Sequence, residues 1–174
     1  MRHVPLPQER PRRSVLAPSA KLVFDWEPFP KLVNENELKK LWLMHWREIA
    51  LDQDTVPLDP DWDCYYALQE IGVLAICTAR FNGHLAGYVF NHVGPHNHYC
   101  STKFAHSEMF FLHPRFRKGW QPVKMFLENI RGLQARECKI HTVNFKLTYK
   151  DGRVGKLFQR LGYTPTDIVM RKVL

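Results

Sequence analysis

Asn82-Gly83 lies between two runs rich in β-branched and aromatic residues, 73–80 and 84–92. Asn-Gly in that position is the strongest short signal for an antiparallel hairpin, because both residues tolerate the positive φ of a tight turn. A third apolar run, 103–112, follows a polar loop at 94–99 and stops before Pro114, which has no N–H to continue a ladder. The middle of the chain therefore predicts a sheet. Ahead of it, residues 34–50 place Leu38, Leu41, Trp42, His45 and Ile49 at helical spacing, with Asn34 and Glu37 as an N-terminal cap. The spacing ends at Asp52, Gln53 and Asp54, and Pro57 and Pro60 mark a polar loop.

After the third run the period returns to that of a helix. Residues 121–135 carry Val123, Phe126, Leu127, Ile130 and Leu133 on one face, with Pro122 suited to the first turn. A strand is expected at 139–147, and then a helix at 153–161 that buries Val154, Leu157, Phe158 and Leu161 and ends at Gly162. Residues 163–174 supply closing strand material, and 22–26 a short extended piece. Strands alternating with helices define an α/β domain over residues 21–174. Residues 1–20 combine Arg2, Arg10, Arg12 and Arg13 with Pro5, Pro7, Pro11 and Pro18, a composition that favours an extended basic arm.

A chain of 174 residues, 45% of them hydrophobic, has enough apolar surface for one substantial core. No stretch approaches the roughly 20 apolar residues of a membrane span, and the N-terminus has charges and prolines where a secretion signal is apolar, so a cytoplasmic protein is expected. Cys64, Cys77, Cys100 and Cys138 form no C-x-x-C pair and read as reduced thiols. His92, His96 and His98 flank a Gly-Pro turn but lack the convergent fourth group of a zinc site, so no metal is expected. The net charge of +8 points to an anionic partner, which fits both phosphate groups and nucleic acid; for the latter the arm and the basic segment 115–124 are the candidates.

Two short motifs give the strand and helix order a family likeness. Leu112-His113-Pro114-Arg115-Phe116-Arg117-Lys118-Gly119-Trp120-Gln121-Pro122-Val123-Lys124 resembles the pyrophosphate loop of the GNAT N-acetyltransferases, Val-x-Pro-x-x-Arg-x-x-Gly-x-Gly before an apolar helix. Leu157-Phe158-Gln159-Arg160-Leu161-Gly162-Tyr163 resembles the family's closing Leu-Tyr-x-x-x-Gly-Phe helix. The likeness covers residues 71–174 and implies a GNAT-like mixed central sheet flanked by helices, with acetyl-coenzyme A as co-substrate and an amine as acceptor. Arg-Lys-Gly-aromatic ahead of a lysine-containing helix is also similar to a bacteriophage branch of the family, which implies a viral source and a location in host cytoplasm or virion.

The resemblance implies particular site residues. Arg117, Lys118, Gly119 and Lys124 would hold the cofactor phosphates beside the free N–H groups of a helix start. Backbone groups at Phe110 and Leu112 would pair with the pantetheine arm and polarise the thioester. Glu108, on the strand before the loop, would take the ammonium proton directly or through water, and Asn144 would orient substrate or water. Two positions depart from the family pattern. Pro122 stands near the last glycine and has no N–H to donate, and Phe158 stands where relatives carry an acidic tyrosine, with Tyr149 and Tyr163 nearby. The acceptor stays open between a protein lysine, an N-terminus and a small amine. The departures keep a second reading alive, a GNAT-folded binding or virion-associated protein without catalysis.

Overall fold

A computed structural model of the chain describes residues 21–34, 36–146 and 152–172. Five strands, β1 (Leu22–Trp26), β2 (Leu74–Phe81), β3 (His84–His96), β4 (Tyr99–Leu112) and β5 (Ile140–Val143), form one sheet in sequential order. Only the last pair, β4 with β5, is parallel. The helices are α1 (Phe29–Asn34), α2 (Glu37–Ile49), α3 (Trp62–Glu70), α4 (Gln121–Ala135) and α5 (Arg153–Arg160). The β2–β3 connection is the expected tight turn, with Asn82 at φ 52 and Gly83 at φ 85.

Successive strand residues point to opposite faces, and each face gathers its own helices. Leu74 and Ile76 of β2 and Tyr88 and Phe90 of β3 join Phe29, Leu32, Leu38, Leu41 and Trp42 from α1 and α2. On the other side Cys77 and Ala79 join Met125 and Phe126 of α4 and Phe158 of α5. The result is a mixed sheet between two helical layers, the expected α/β class.

Several local expectations need correction. Asn34 ends the short helix α1, so it does not cap α2; Asn36 takes that position, in a left-handed conformation at φ 52. The supposed polar loop contains α3, started by the Asp61 side chain accepting from the Cys64 N–H at 2.9 Å. No residue of α3 is fully buried, which is why its pattern looks like a loop. The 94–99 loop is instead mostly strand. β2 stops at Leu74 opposite His92, leaving the rest of β3 as an edge, where Pro95 needs no donor on that side.

Helix α4 has the expected bounds, but it buries Met125, Phe126, Asn129, Gly132 and Leu133, while Leu127 is exposed. The stripe is rotated because Asn129 meets a polar partner and Gly132 lets the helix touch the Trp26 indole, where a Cβ would lie 2.2 Å from ring atoms. Strand β5 is shorter than expected, and residues 163–172 contain no strand. The 1–20 arm and Tyr149 lie outside the described residues. No described helix is long and apolar enough to cross a membrane.

Candidate active site

The site begins at an irregularity in β4. Phe90 faces Met109 and Asn91 faces Ser107, so Glu108 is the extra residue of a β-bulge. A bulge bends its strand and raises the local twist. Pairing with β5 ends at the same place, the last rung being Ser107 with Val143. From Glu108 to Leu112, β4 is bonded to β3 on one side and to no strand on the other among the described residues. A wedge therefore opens between β4 and β5, with peptide groups along one wall that no described strand pairs.

The chain then turns through a short 3-10 segment, Pro114–Phe116, whose first N–H donors are met locally: the His113 ring accepts from Arg115 N–H at 3.3 Å. Gly119 has φ 66, and a Cβ there would meet nothing within 4 Å, so the turn stands in open space. Helix α4 starts two residues later. By helix geometry the N–H groups of Gln121 and Val123 have no intrahelical acceptor, whereas the Lys124 N–H reaches Trp120 at 2.9 Å. Lys118 and Lys124 are exposed beside them. Pro122 removes one donor from the first turn and leaves the others.

Arg117 is oriented elsewhere. Its Nη atoms donate to both oxygens of Glu48 on α2 at 2.5 and 2.7 Å, and its Nε donates to the Leu112 carbonyl at 2.5 Å. This side chain fastens α2 to the end of β4, and it engages the carbonyl of Leu112. Phe110 packs its ring edge-on against Phe126 and Phe158. Phe158 itself is 2% exposed within a cluster that also contains Phe145 and Tyr163, so it serves as core.

Glu108 is exposed, with a carboxylate oxygen 3.3 Å from the His92 ring nitrogen Nε2. It faces the α2–α3 side: burial, and to a lesser degree the Glu108 charge, push the Tyr65 hydroxyl up to about 12. Asn144 is the residue after β5 and is exposed. Glu108 thus marks the mouth of the wedge on one strand, and Asn144 follows its last rung on the other.

Two groups that sequence reasoning passed over flank this wedge. On the α2 side, His45 Nδ1 lies 2.9 Å from the Tyr88 hydroxyl, both buried. Burial holds His45 down at about 4, and Tyr88 is raised well above the ordinary phenol range by the same cause. On the α4 side a polar chain runs beneath the last rung. Asn91 Nδ2 donates to the Ala75 carbonyl at 3.0 Å, which orients the amide, so Asn91 Oδ1 accepts from Ser107 Oγ at 2.8 Å. With its own proton so used, Ser107 Oγ accepts from His141 Nε2 at 2.8 Å, leaving His141 Nδ1 to accept from the Tyr163 hydroxyl at 2.5 Å. Asn129 closes the chain with 2.9 Å to Asn91. Burial, helped by neighbouring His106, lowers His141 to about 4, in keeping with this neutral tautomer. A single helix-spaced Asn or strand Ser gives no sequence sign of such a chain.

His96, Tyr99 and Phe104 stack at the far end of the β3–β4 hairpin, and no cluster of His, Cys, Asp or Glu able to hold a metal occurs among the described residues. The described cysteines are free thiols.

No protein-family model and no curated protein matches this sequence. Solved structures do match the fold. A ribosomal-protein-alanine N-acetyltransferase from Brucella melitensis biovar Abortus 2308 superposes with a TM-score of 0.64 at 15% identity, over 88% of this chain and 100% of that one. The aminoglycoside N-acetyltransferase AAC(6')-Iy in complex with CoA gives 0.62 at 14% identity, over 87% and 98%. A GNAT family acetyltransferase of Staphylococcus aureus subsp. aureus USA300_TCH1516 gives 0.59 at 15%, over 88% and 98%. Identities this low carry the architecture and nothing finer. The chain has the fold of the GNAT acetyltransferases.

Proposed function

We propose that this chain transfers the acetyl group of acetyl-coenzyme A to an amine. The observation that carries the reading is the wedge between β4 and β5, which opens at the Glu108 bulge and lies beside the strand–turn–helix that leads into α4. The unpaired N–H groups of Gln121 and Val123, the open turn at Gly119 and the exposed ammonium groups of Lys118 and Lys124 fit a pyrophosphate. Arg117 supports that anion site indirectly, by holding α2 against the strand that enters the loop. The free edge of β4 from Glu108 to Phe110 fits the amide groups of a pantetheine arm.

Acetyl-CoA supplies an activated thioester: the ammonium gives up one proton before attack, the amine nitrogen forms a C–N bond and gives up a second proton as the C–S bond breaks, and the thiolate gains one, so one proton is released overall. Glu108, exposed at the mouth of the wedge, accepts the ammonium proton directly or through a water. Asn144 orients the substrate or that water. Phe158 has no proton to give, and the Tyr163 hydroxyl already donates to His141, so the thiolate takes its proton from solvent. A phage origin rests on the Arg-Lys-Gly-aromatic loop alone.

Isothermal titration of acetyl-CoA tests this reading. The native protein is expected to bind, and a Lys118→Ala, Lys124→Ala variant to bind at least tenfold more weakly, since each lost charged hydrogen bond costs roughly 1.5–3 kcal/mol. Arg117 is unsuited to the test because its loss also breaks the ion pair that ties α2 to the end of β4. Absence of binding by the native protein would shift the reading to a non-catalytic GNAT-folded binding protein, which Phe158 and Pro122 favour. Displacement of acetyl-CoA by an oligonucleotide would place nucleic acid on the same basic loop.

A further inference from the structure

A cavity of about 490 Å³ opens on the α2–α3 face. That size suits a small organic ligand. It touches Met109, the residue after Glu108 on β4, and Lys146, three residues past the end of β5, so it adjoins the wedge from the side opposite α4. Its walls are Trp42 and Trp46 of α2, Tyr65 of α3 and Tyr88 of β3, with Val56 and Leu58 from the 51–60 segment at the rim. The aromatic wall is held in place before any ligand arrives: Trp42 stacks on Trp62 at 5.1 Å and meets Phe90 edge-on at 5.7 Å.

We infer that this cavity receives the acceptor, and that the acceptor is a primary amine carried on an aromatic body, an arylalkylamine with a single ammonium group. The inference rests on the acetyl-transfer reading and adds the substrate class to it. Aromatic walls favour a flat, polarisable group by offset stacking and edge contacts. A polycationic sugar would need a concentration of carboxylates, yet the charged residues of the lining are Asp52 and Asp59 against Lys146 and Arg171, and Arg171 is paired to Asp52. His45, also in the wall, is neutral above about pH 4 and adds no charge near neutrality. Trp46 and Tyr65 share this cavity with Met109, the neighbour of Glu108, so an aromatic body held here would have its amine arm directed to the group assigned to take the proton.

The test compares phenethylamine, kanamycin and a lysine-containing peptide as acceptors for the full chain, following thiol release from acetyl-CoA. Phenethylamine is expected to exceed the others at least tenfold in kcat/KM, and Trp46→Ala to lower its value about tenfold while KM carries most of the change. In a second measurement phenethylamine alone is titrated into native, Trp46→Ala and Val56→Trp proteins by calorimetry. Val56 is a 58% exposed rim residue, so enlarging it narrows the mouth without disturbing the core. Native binding that both variants lose supports the cavity and its ligand class even where acetyl-CoA fails to bind and the transfer reading falls. Acetyl-CoA binding together with equal or better use of kanamycin or peptide overturns the arylalkylamine class, as does a native protein that binds no phenethylamine.

Discussion

The two faces of the sheet are packed by different means. Against α4 and α5 the interior holds a phenylalanine cluster around Phe158 and the Tyr163–His141–Ser107–Asn91–Asn129 chain, which leaves no polar group of its own unmatched. Against α2 and α3 the interior is rich in large rings but ends in an open cavity. Hydrogen bonds have fixed lengths and directions, so a buried polar chain specifies one arrangement of the strands it joins. Aromatic walls specify shape more loosely and leave surface for a ligand. The rigid face sits where the β4–β5 pairing ends, and the permissive face carries the cavity proposed for the acceptor.

Substitutions should separate the two. Phe158→Ala, which empties the closed cluster, is expected to cost about 3–5 kcal/mol in urea unfolding. Acid should act on both faces through one histidine each. His45 and His141 are both held at about 4, below the ordinary 6.5, so the unfolded chain takes up protons that the folded one refuses. Their contribution is full above pH 6.5 and is lost as pH falls toward 4, about 3 kcal/mol for the buried His45. Glu27 acts at lower pH. Burial alone would raise its carboxyl, but hydrogen bonds from Arg80, Lys31 and Thr78 prevail and hold it at about 2. Its stabilisation is present above pH 4.5 and disappears toward pH 2, so stability in urea measured against pH should fall in two windows, the first shallower in His45→Asn.

A smaller effect tests the polar chain itself. Ser107→Ala takes one of two donors from Asn91 Oδ1 and the acceptor from His141 Nε2, and is expected to cost about 1–3 kcal/mol, with faster amide exchange at the β4–β5 rung by NMR. Val56→Ala, at the rim of the open face, should change stability by no more than about 0.5 kcal/mol. A Val56→Ala cost as large as that of Ser107→Ala would erase the distinction between the faces.

Much of the scaffold was legible in the residues themselves. The Asn82-Gly83 turn, the bounds of α4 and the helix ended by Gly162 follow from local backbone preferences and apolar spacing, which act within a few residues. Helix α3 was not, since none of its residues is fully buried, although Asp61 as a cap was a usable sign. The rotation of α4 was hidden because Asn129 and Gly132 do not register as core in an apolar pattern.

For the candidate site the division is similar. A strand, a basic turn and a helix start at 108–124 are written in the residues themselves, because proline, glycine and helix spacing are short-range signals. Only the tertiary structure decided what those residues face. It turned Arg117 away to Glu48, sixty-nine positions distant, buried Phe158, and joined Asn91, Ser107, Asn129, His141 and Tyr163 into one chain. The physical reason is range: a guanidinium or an amide takes whichever partner packing brings within about 3 Å, and no local pattern records that choice.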